Sequence, residues 1–312
     1  MAQAEPRVTI LLSTYNGARF LAEQLDSLLA QSHANWRLLW RDDGSQDATR
    51  ALMEDFAARL GPQRCVELAQ PAGRMRATGS FLALLRAAAP ELGPAELVAF
   101  ADQDDVWLPE KLARGAAALG DMPASEPALY CARQMLVDAA LRPLGLSHPL
   151  DRPVAFPAAL AQNVTTGCTI MMNAAAARLV ADSEAPPATL HDWWCYLVVT
   201  ARGGRMVCDA AAVVQYRQHK ANLVGAPRSK VRRAWAAIGR GPSVFMNVLR
   251  QHVAALAAQP HLLSPGAARQ VAALDRALKG GMAGRLTVLR LPGLRRQTWQ
   301  ETALFWLWFV IG

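Results

Sequence analysis

The chain has 312 residues, of which 52% are hydrophobic and 19% are charged, and its formal net charge at pH 7 is +8. This length and apolar content exclude an intrinsically disordered chain, and they suffice for one large α/β domain with an appendage or for two domains. No segment approaches the roughly 20 consecutive apolar residues of a membrane span, and the N-terminus lacks signal-peptide features, so we expect a cytoplasmic protein.

Strands and helices are predicted to alternate through the first part of the chain. Runs of β-branched and apolar residues predict strands over residues 7–16, 36–45, 64–70 and 96–102. Apolar residues at helical spacing predict helices over residues 17–32, 47–60, 78–89 and 109–119. This alternation is typical of an α/β fold with a doubly wound, mainly parallel sheet flanked by helices. In such sheets ligands bind beyond the carboxyl ends of the strands.

From about residue 125 the predicted elements change, and after residue 215 the composition changes as well. Shorter strands are expected over 128–138, 167–173 and 205–217, with a helix over 191–201. Residues 1–214 hold 18 Lys and Arg against 23 Asp and Glu, whereas residues 215–312 hold 15 against 2. This excess of positive charge predicts that the C-terminal third of the chain faces an anionic partner.

The stretch "FADQDDVWLP" follows the fourth predicted strand and carries three neighbouring carboxylates, Asp102, Asp104 and Asp105. Like charges this close disfavour one another's ionisation. Mg²⁺ or Mn²⁺ would relieve the repulsion, because both prefer oxygen ligands and also accept water and phosphate oxygens. Asp43 follows the second strand and is expected at the same sheet edge. The alternative is a solvated acidic turn that caps the next helix, and the position after a buried strand favours a metal–phosphate site.

Five motifs follow one another within residues 7–225: "VTILLSTYNGARFLAEQLDSLLAQS", "LLWRDDGSQDAT", "FADQDDVWLPEKL", "HDWW" and "YRQH". Their order resembles that of family 2 glycosyltransferases, most closely the rhamnosyltransferase-like members. The resemblance implies a GT-A fold and an inverting transfer of a sugar from a nucleotide-diphosphate donor. It implies a glycosyltransferase domain over residues 1–225, with a nucleotide-binding half (1–120) and an acceptor half (121–225). Residues 226–312 are then a helical, basic and aromatic extension.

The resemblance also implies which residues hold the nucleotide. The turn that wraps the base matches Thr14, Tyr15 and Asn16, and the acidic residue that hydrogen-bonds the pyrimidine matches Asp43. Guanidinium and ammonium groups bind phosphate, so three basic residues are candidates to assist the departing diphosphate: Arg76, Arg217 and Lys220.

The resemblance likewise implies which residues bind the metal and which residue is the catalytic base. Asp102 and Asp104 match the DxD pair, with Asp102 toward the ribose or the metal and Asp104 as the chief metal ligand, while Asp105 is a second-shell candidate. His219 matches a histidine that approaches the metal or diphosphate. Asp192 matches the base, and an inverting transfer needs such a carboxylate to take the acceptor proton. The alternative for Asp192 is a helix N-cap, which is compatible with the role of base.

The acceptor side and two departures from the family pattern complete the site. Trp193 and Trp194 suit stacking on a sugar, although one of them is expected to pack in the core, and Thr166 and Gly167 match the acceptor-side wall. The Gln-x-x-Arg-Trp signature of processive members is absent, which favours the addition of one sugar. His191 replaces an acidic residue, and the alternative for it is a buried structural histidine.

Basic, tryptophan and leucine residues in the last 28 positions suit a helix lying on an anionic membrane surface. The alternatives are a C-terminal helix docked in the core and a dimer interface. Nucleic-acid binding is not expected, since no helix-turn-helix, zinc-finger or RNA-recognition signature is present. Two further functional alternatives stay open, an inactive scaffold with the same fold and a sugar-nucleotide nucleotidyltransferase.

Overall fold

The computed structural model describes residues 5–69, 73–150, 152, 154–219 and 230–312. The chain packs as two compact units. The first comprises Met1–Pro149, Thr165–Asp182 and Val207–Gly225, and the second comprises Leu150–Val164, Ser183–Met206 and Ala226–Gly312. The domain boundary that we predicted at residue 225 lies outside the described residues. Two segments that we expected in the glycosyltransferase domain, 150–164 and 183–206, instead group with the C-terminal helices.

The described residues include nine strands that form one sheet. They are β1 (Val8–Thr14), β2 (Trp36–Asp42), β3 (Cys65–Glu67), β4 (Leu97–Ala101), β5 (Val106–Trp107), β6 (Ala128–Val137), β7 (Pro143–Leu146), β8 (Met171–Asn173) and β9 (Arg205–Arg217). The order is β3–β2–β1–β4–β8–β6–β9–β5, and β7 pairs with β6 beside this path.

Four parallel strands, β1 to β4, form the half of the sheet that the sequence predicted. Every residue of β4 and all but one of β1 are buried, as expected of parallel strands that are covered on both faces. Thr14 pairs with Asp42 across β1 and β2, and Leu12 pairs with Ala101 across β1 and β4. The carboxyl ends of three strands therefore meet at one edge, with Asp43 and Asp102 directly beyond it.

The other half of the sheet is antiparallel, so the sheet as a whole is mixed. β8 runs antiparallel to β4 and to β6, and β5 runs antiparallel to β9. The strand predicted over 167–173 is only three residues long, because Gly167–Thr169 forms a 3₁₀ turn. β5 has two residues, too few for a periodic pattern, and is stabilised by its pairing with β9.

Eleven α-helices lie within the described residues. They are α1 (Ala18–Leu29), α2 (Thr49–Leu60), α3 (Arg76–Ala88), α4 (Lys111–Gly120), α5 (Ala158–Ala161), α6 (Ala174–Ala181), α7 (His191–Ala201), α8 (Lys230–Ala257), α9 (Pro265–Lys279), α10 (Met282–Val288) and α11 (Trp299–Ile311). The first unit holds α1 to α4 and α6, which pack with the sheet, so the α/β class is confirmed.

The second unit is helical, as expected for the C-terminal extension. α5 packs against both α7 and α8, which explains why these parts of the chain group together. Ser264 caps α9 by accepting a hydrogen bond from Ala267 N, and Thr298 caps α11 by accepting one from Glu301 N. Across the part of the chain that the structure describes, no helix combines the length and apolar character needed to cross a bilayer.

Candidate active site

One side chain, Gln103, joins the turn after β1 to the acidic turn after β4. Its Oε1 accepts a hydrogen bond from Tyr15 N at 2.8 Å, and its Nε2 donates to Tyr15 O at 3.0 Å. Gly17 makes room for this bridge, since a Cβ at that position would lie 2.2 Å from Gln103 Oε1. Sequence reasoning missed the role of Gln103, because a polar residue between aspartates has no periodic signal.

The turn after β2 is built around the Asp42 carboxylate. This carboxylate accepts hydrogen bonds from two backbone N–H groups of its own turn and from Thr14 Oγ1 at 3.0 Å. Thr14 is buried, and its side chain supports this turn. Asn16 is exposed with a positive φ of 45°, and its Oδ1 accepts from Gln46 N at 2.8 Å.

Asp43 forms a buried ion pair with Arg41, at 2.5 Å between Oδ1 and Nη1. Arg76 N donates to Asp43 Oδ2 at 2.7 Å, so Arg76 meets this aspartate through its backbone. Burial acts to raise the pKa of Asp43, but the Arg41 hydrogen bond and two backbone N–H groups outweigh it and lower the pKa below 3.8. Asp43 is therefore a fixed, ionised group.

Arg74 is a candidate that sequence reasoning missed. Its guanidinium carbon lies 3.6 Å from the centroid of the Tyr15 ring, and its Nε lies 3.7 Å from Asp43 Oδ2. The stretch before α3 carries no motif, so only the folded chain associates this arginine with the nucleotide-binding candidates. A half-exposed cation on an aromatic ring beside a carboxylate is suited to contact a planar, polar ligand.

The three carboxylates of the acidic turn face different partners. One oxygen each from Asp102 and Asp105 lies with Cys168 Sγ in a group whose atoms are within 4.8 Å of one another. Asp104 Oδ2 instead lies 2.8 Å from His219 Nε2. Asp105 is 1% exposed, and burial, followed by the charges of Asp102 and Asp104, raises its pKa well above 3.8.

The oxygens of this group fit Mg²⁺ or Mn²⁺, and its sulfur does not. Asp105 Oδ2 is buried without a hydrogen-bond partner among the described residues. Burial raises the pKa of Cys168 well above 9.0, so this residue is a protonated thiol and a poor ligand for a hard cation. Of the predicted metal residues, Asp104 and His219 contact each other, whereas Asp102 lies in the other group, where Asp105 joins it as the more buried ligand candidate.

Arg217, one of the three basic residues considered for the diphosphate, is buried against the acidic turn. It is 1% exposed, donates from Nε to Asp104 O at 2.8 Å and pairs with Glu23. Its backbone N also donates to Asp105 Oδ1 at 3.2 Å. The antiparallel pairing of β9 with β5, immediately after the turn, brings this end of β9 to the carboxylates. Lys220, the other candidate on this segment, lies outside the described residues.

A second buried cation, Lys111, lies at the start of α4. Its Nζ lies 3.6 Å from the centroid of the Trp107 ring, and none of the described residues accepts a hydrogen bond from it. Burial lowers the pKa of Lys111 to about 7, while the charges of Cys168 and Asp105 act in the opposite direction. The sequence shows only a lysine in a helical first turn, and gives no sign of this burial.

A cleft of about 520 Å³ opens beside His219. It is lined by Arg19, Asp138, Ala139, Ala140, Arg142, Gln218 and His219. Phe20 supports this side of the site, with its ring centroid 5.1 Å from that of His219 and 4.8 Å from the Arg19 guanidinium carbon. Because its charged lining residues are two arginines and one aspartate, the cleft is suited to an anionic or polar ligand.

Asp192 lies in the second unit, in the first turn of α7. It is 8% exposed, and its Oδ1 accepts from Trp193 N at 2.6 Å. The N-cap position belongs to Leu190, so the N-cap alternative for Asp192 was wrong, although a carboxylate in a first turn is still stabilised by the helix dipole. Burial lowers the pKa of His191 to about 3, which agrees with the alternative of a buried, neutral histidine.

The two tryptophans of α7 differ in exposure. Trp194 is 0% exposed and donates to Ser183 Oγ at 2.7 Å, so it is the core residue of the pair and is not available for stacking. Trp193 is half-buried, donates to Ala159 O at 2.7 Å and packs edge-on against His252. Thr166 and Gly167 lie in the first unit, immediately before Cys168, and so belong with the acidic turn.

Solved structures identify the fold. Staphylococcus aureus TarS 1–349 in complex with UDP-GlcNAc has a TM-score of 0.60 and 15% identity, over 91% of this chain and 81% of that one. A mannosyltransferase from Pyrobaculum calidifontis, in complex with GDP-Man and Mn²⁺, has a TM-score of 0.50 and 18% identity, over 99% of this chain and 87% of that one. The fold is thus the GT-A fold of glycosyltransferases, as the sequence predicted.

Sequence comparisons agree with this fold. Residues 9–136 match the family model described as Glycosyl transferase family 2. The dTDP-rhamnosyl transferase RfbG of Shigella flexneri is 25% identical over 228 residues, which cover 69% of this chain and 74% of RfbG. Two other curated relatives, 34% and 32% identical, are matched over 31% and 38% of their own length, about a third of each protein. The predicted resemblance to family 2 glycosyltransferases is confirmed over residues 9–136.

Proposed function

We propose that the chain transfers one sugar, with inversion, from a nucleotide-diphosphate donor to a hydroxyl group of a glycan acceptor. The observation that carries this proposal is the acidic turn at the carboxyl edge of the parallel strands. Gln103 ties that turn to Tyr15, and Arg217 holds it from behind. Tyr15, Asp43 and Arg74 offer a ring, a fixed carboxylate and a cation at the same edge, where a nucleotide is bound in sheets of this kind.

A divalent cation, Mg²⁺ or Mn²⁺, belongs to the proposal. Asp102 and Asp105 would hold it, with Asp104 and His219 beside them. When bound, such an ion supplies positive charge for a departing diphosphate as a Lewis acid. The buried, unpartnered oxygen of Asp105 supports this assignment, since an ionised carboxylate in that position needs a compensating charge.

Asp192 is the proposed base that takes the proton of the acceptor hydroxyl. Its low exposure and its place in the first turn of α7 suit a base, and the hydrogen bond that its Oδ1 accepts from Trp193 N at 2.6 Å orients the carboxylate. Trp193, the half-buried tryptophan, is the proposed acceptor-side ring.

The donor and the acceptor are proposed from the relatives. RfbG is a dTDP-rhamnosyl transferase by name, which supports dTDP-rhamnose, and the TarS complex contains UDP-GlcNAc, which supports a UDP-sugar. A curated relative in Escherichia coli has a name that specifies a diphosphoundecaprenol-linked acceptor. It supports a lipid-linked glycan, a lipopolysaccharide or a cell-surface polysaccharide as acceptor. The proposed location is cytoplasmic and peripheral on the inner face of the membrane, without a nucleic-acid partner.

Thermal unfolding with nucleotides tests the donor site. UDP, dTDP and GDP are added singly, each with and without Mn²⁺ or Mg²⁺. A ligand that binds only the native state, at about 100 times its Kd, stabilises it by about 2.7 kcal/mol. We expect metal-dependent stabilisation by UDP or dTDP, and its loss in Asp102→Asn.

The matched control is Asp55→Asn, an aspartate on the exposed side of α2. It should leave the nucleotide response unchanged. A folded protein that responds to none of the nucleotides would favour the inactive scaffold. Release of pyrophosphate from a nucleoside triphosphate and a sugar phosphate would favour the nucleotidyltransferase. If Asp192→Asn left sugar transfer unchanged, the assignment of the base would be wrong.

A further inference from the structure

α11 is apolar around most of its circumference, but only one side of it is packed. Thr302, Phe305, Trp308 and Phe309 are buried, and the Phe305 ring meets that of Phe245 edge-on at 5.7 Å. The Arg296 guanidinium lies over the same two rings, 4.6 Å from the centroid of Phe245 and 5.9 Å from that of Phe305. The alternative of a helix docked in the core is therefore correct for this side of α11.

The opposite side of α11 carries large apolar side chains in contact with solvent. Trp299 is 69% exposed, Trp306 40%, Leu307 54% and Ile311 59%. Their spacing of seven, one and four residues places them in one stripe along the helix. Solvent exposure of two tryptophans and two aliphatic side chains in three turns is unfavourable unless another apolar phase covers them.

α10 extends this exposed surface. Met282 is 61% exposed and Leu286 49%, and they lie one turn apart on the same side of α10. Arg285 Nη1 donates to Val310 O at 3.4 Å, which joins the middle of α10 to the end of α11. Of the eleven large hydrophobic side chains that are exposed among the described residues, six lie on these two short helices.

Positive charge accompanies the apolar surface. Arg290 and Arg295 are exposed and lie in the connection between α10 and α11. Residues 280–312 contain four arginines and a single acidic residue, Glu301. An anionic bilayer offers the matching combination, because basic side chains meet its headgroups while tryptophan and aliphatic side chains enter the boundary with the acyl chains.

We infer that the exposed side of α10 and α11, formed by Met282, Leu286, Trp299, Trp306, Leu307 and Ile311, is a docking surface for an anionic lipid bilayer. Both helices lie in the plane of the interface, and Arg290 and Arg295 face the headgroups. This surface does not depend on the proposed sugar transfer, so the two proposals can fail separately.

Vesicle co-sedimentation with the full chain tests the inference. The probes are vesicles of pure phosphatidylcholine and vesicles with about one third phosphatidylglycerol. We expect binding to the anionic vesicles and weaker binding when salt is raised, because the charge contribution is screened. Leu307→Asp should reduce the binding at least tenfold. Leu146→Asp, which changes the same residue type at 51% exposure on β7, should leave it unchanged.

A second pair of variants separates charge from apolar contact. Arg290→Gln with Arg295→Gln should weaken binding to anionic vesicles, and Arg59→Gln, on exposed α2, should not. Equal effects of Leu307→Asp and Leu146→Asp, or no vesicle binding by the folded chain, would overturn the inference. Concentration-dependent dimerisation that Leu307→Asp abolishes, without vesicle binding, would assign the surface to a second copy instead. The nucleotide response of Leu307→Asp should equal that of the wild type.

Discussion

The turn after β2 and the turn after β4 both place a buried aspartate at the same sheet edge, yet their surroundings differ. Asp43 has Arg41 and backbone N–H groups as partners, and its pKa is lowered below 3.8. Asp105 is buried and lies close to two further carboxylates, and both effects raise its pKa well above 3.8. The Asp43 charge is therefore compensated within the protein, whereas the surroundings of Asp105 oppose its ionisation. The divalent cation proposed above would compensate the charge of Asp105.

The largest expected effect comes from removing the partner of Asp43. Arg41→Met leaves the buried carboxylate with only the half-exposed Arg74, at 3.7 Å, as a cationic partner, and loss of one member of a buried pair costs about 3–5 kcal/mol. Urea unfolding measures the change. Arg50→Gln is the control, because Arg50 forms exposed pairs with Glu54 and Glu67 and its loss should cost about 0–1 kcal/mol. Similar losses in both variants would contradict a self-contained turn after β2.

A methyl group at Gly17 should disconnect the two turns. In Gly17→Ala the Gln103 side chain must move, and its two hydrogen bonds to Tyr15 are lost, at about 0.5–1.5 kcal/mol each. We expect a loss of stability of about 1–3 kcal/mol and a weaker nucleotide response. Gly93→Ala is the control, since its Cβ would make an ordinary contact of 3.5 Å with Glu96. An unchanged nucleotide response in Gly17→Ala would show that the bridge is dispensable.

Lys111 should be coupled to Asp105, because the charge of Asp105 acts on the pKa of Lys111. Lys111→Met removes a buried cation from beside a buried carboxylate, and Asp105→Asn removes the carboxylate. The loss of unfolding free energy in the double variant should be smaller than the sum of the two single losses. We expect a difference of about 1 kcal/mol, since coupling energies between interacting residues are usually about 0.5–3 kcal/mol. Chemical unfolding of the four proteins at one pH measures this coupling. Strict additivity would mean that the two groups do not interact.

The smallest expected effect is a pH dependence that originates in Asp43. Its folded-state pKa is below the unfolded value of 3.8, so its contribution to stability is complete above that pH. The contribution is lost as the pH falls through the folded-state pKa. The stability difference between the wild type and Asp43→Asn should therefore be constant from pH 7 to pH 5 and shrink at lower pH. If this stability difference grew on acidification, folding would raise the pKa of Asp43 and not lower it.

Several parts of the site could be predicted because they are local in sequence. Asp43 and the Asp102–Asp105 turn follow strands whose apolar runs are unmistakable, and parallel pairing places their ends together. Asp192 lies on a helix that the sequence located correctly. Arg74, Gln103 and Lys111 could not be predicted, since their importance comes from contacts with Tyr15, Trp107 and the acidic turn. The burial of Arg217 against the acidic turn could not be predicted either, because it follows from the pairing of β9 with β5.

By itself, the sequence determined the four parallel strands, the acidic turn after the fourth, the charge asymmetry of the chain and the resemblance of its N-terminal part to family 2 glycosyltransferases. These features depend on residue order over short stretches, where hydrophobic periodicity and charge are already visible. Only the tertiary structure decided that Trp194 is a core residue, that Asp105 is the more buried carboxylate and that one side of α11 remains uncovered. Burial depends on which distant segments meet, and a one-dimensional pattern does not contain that information.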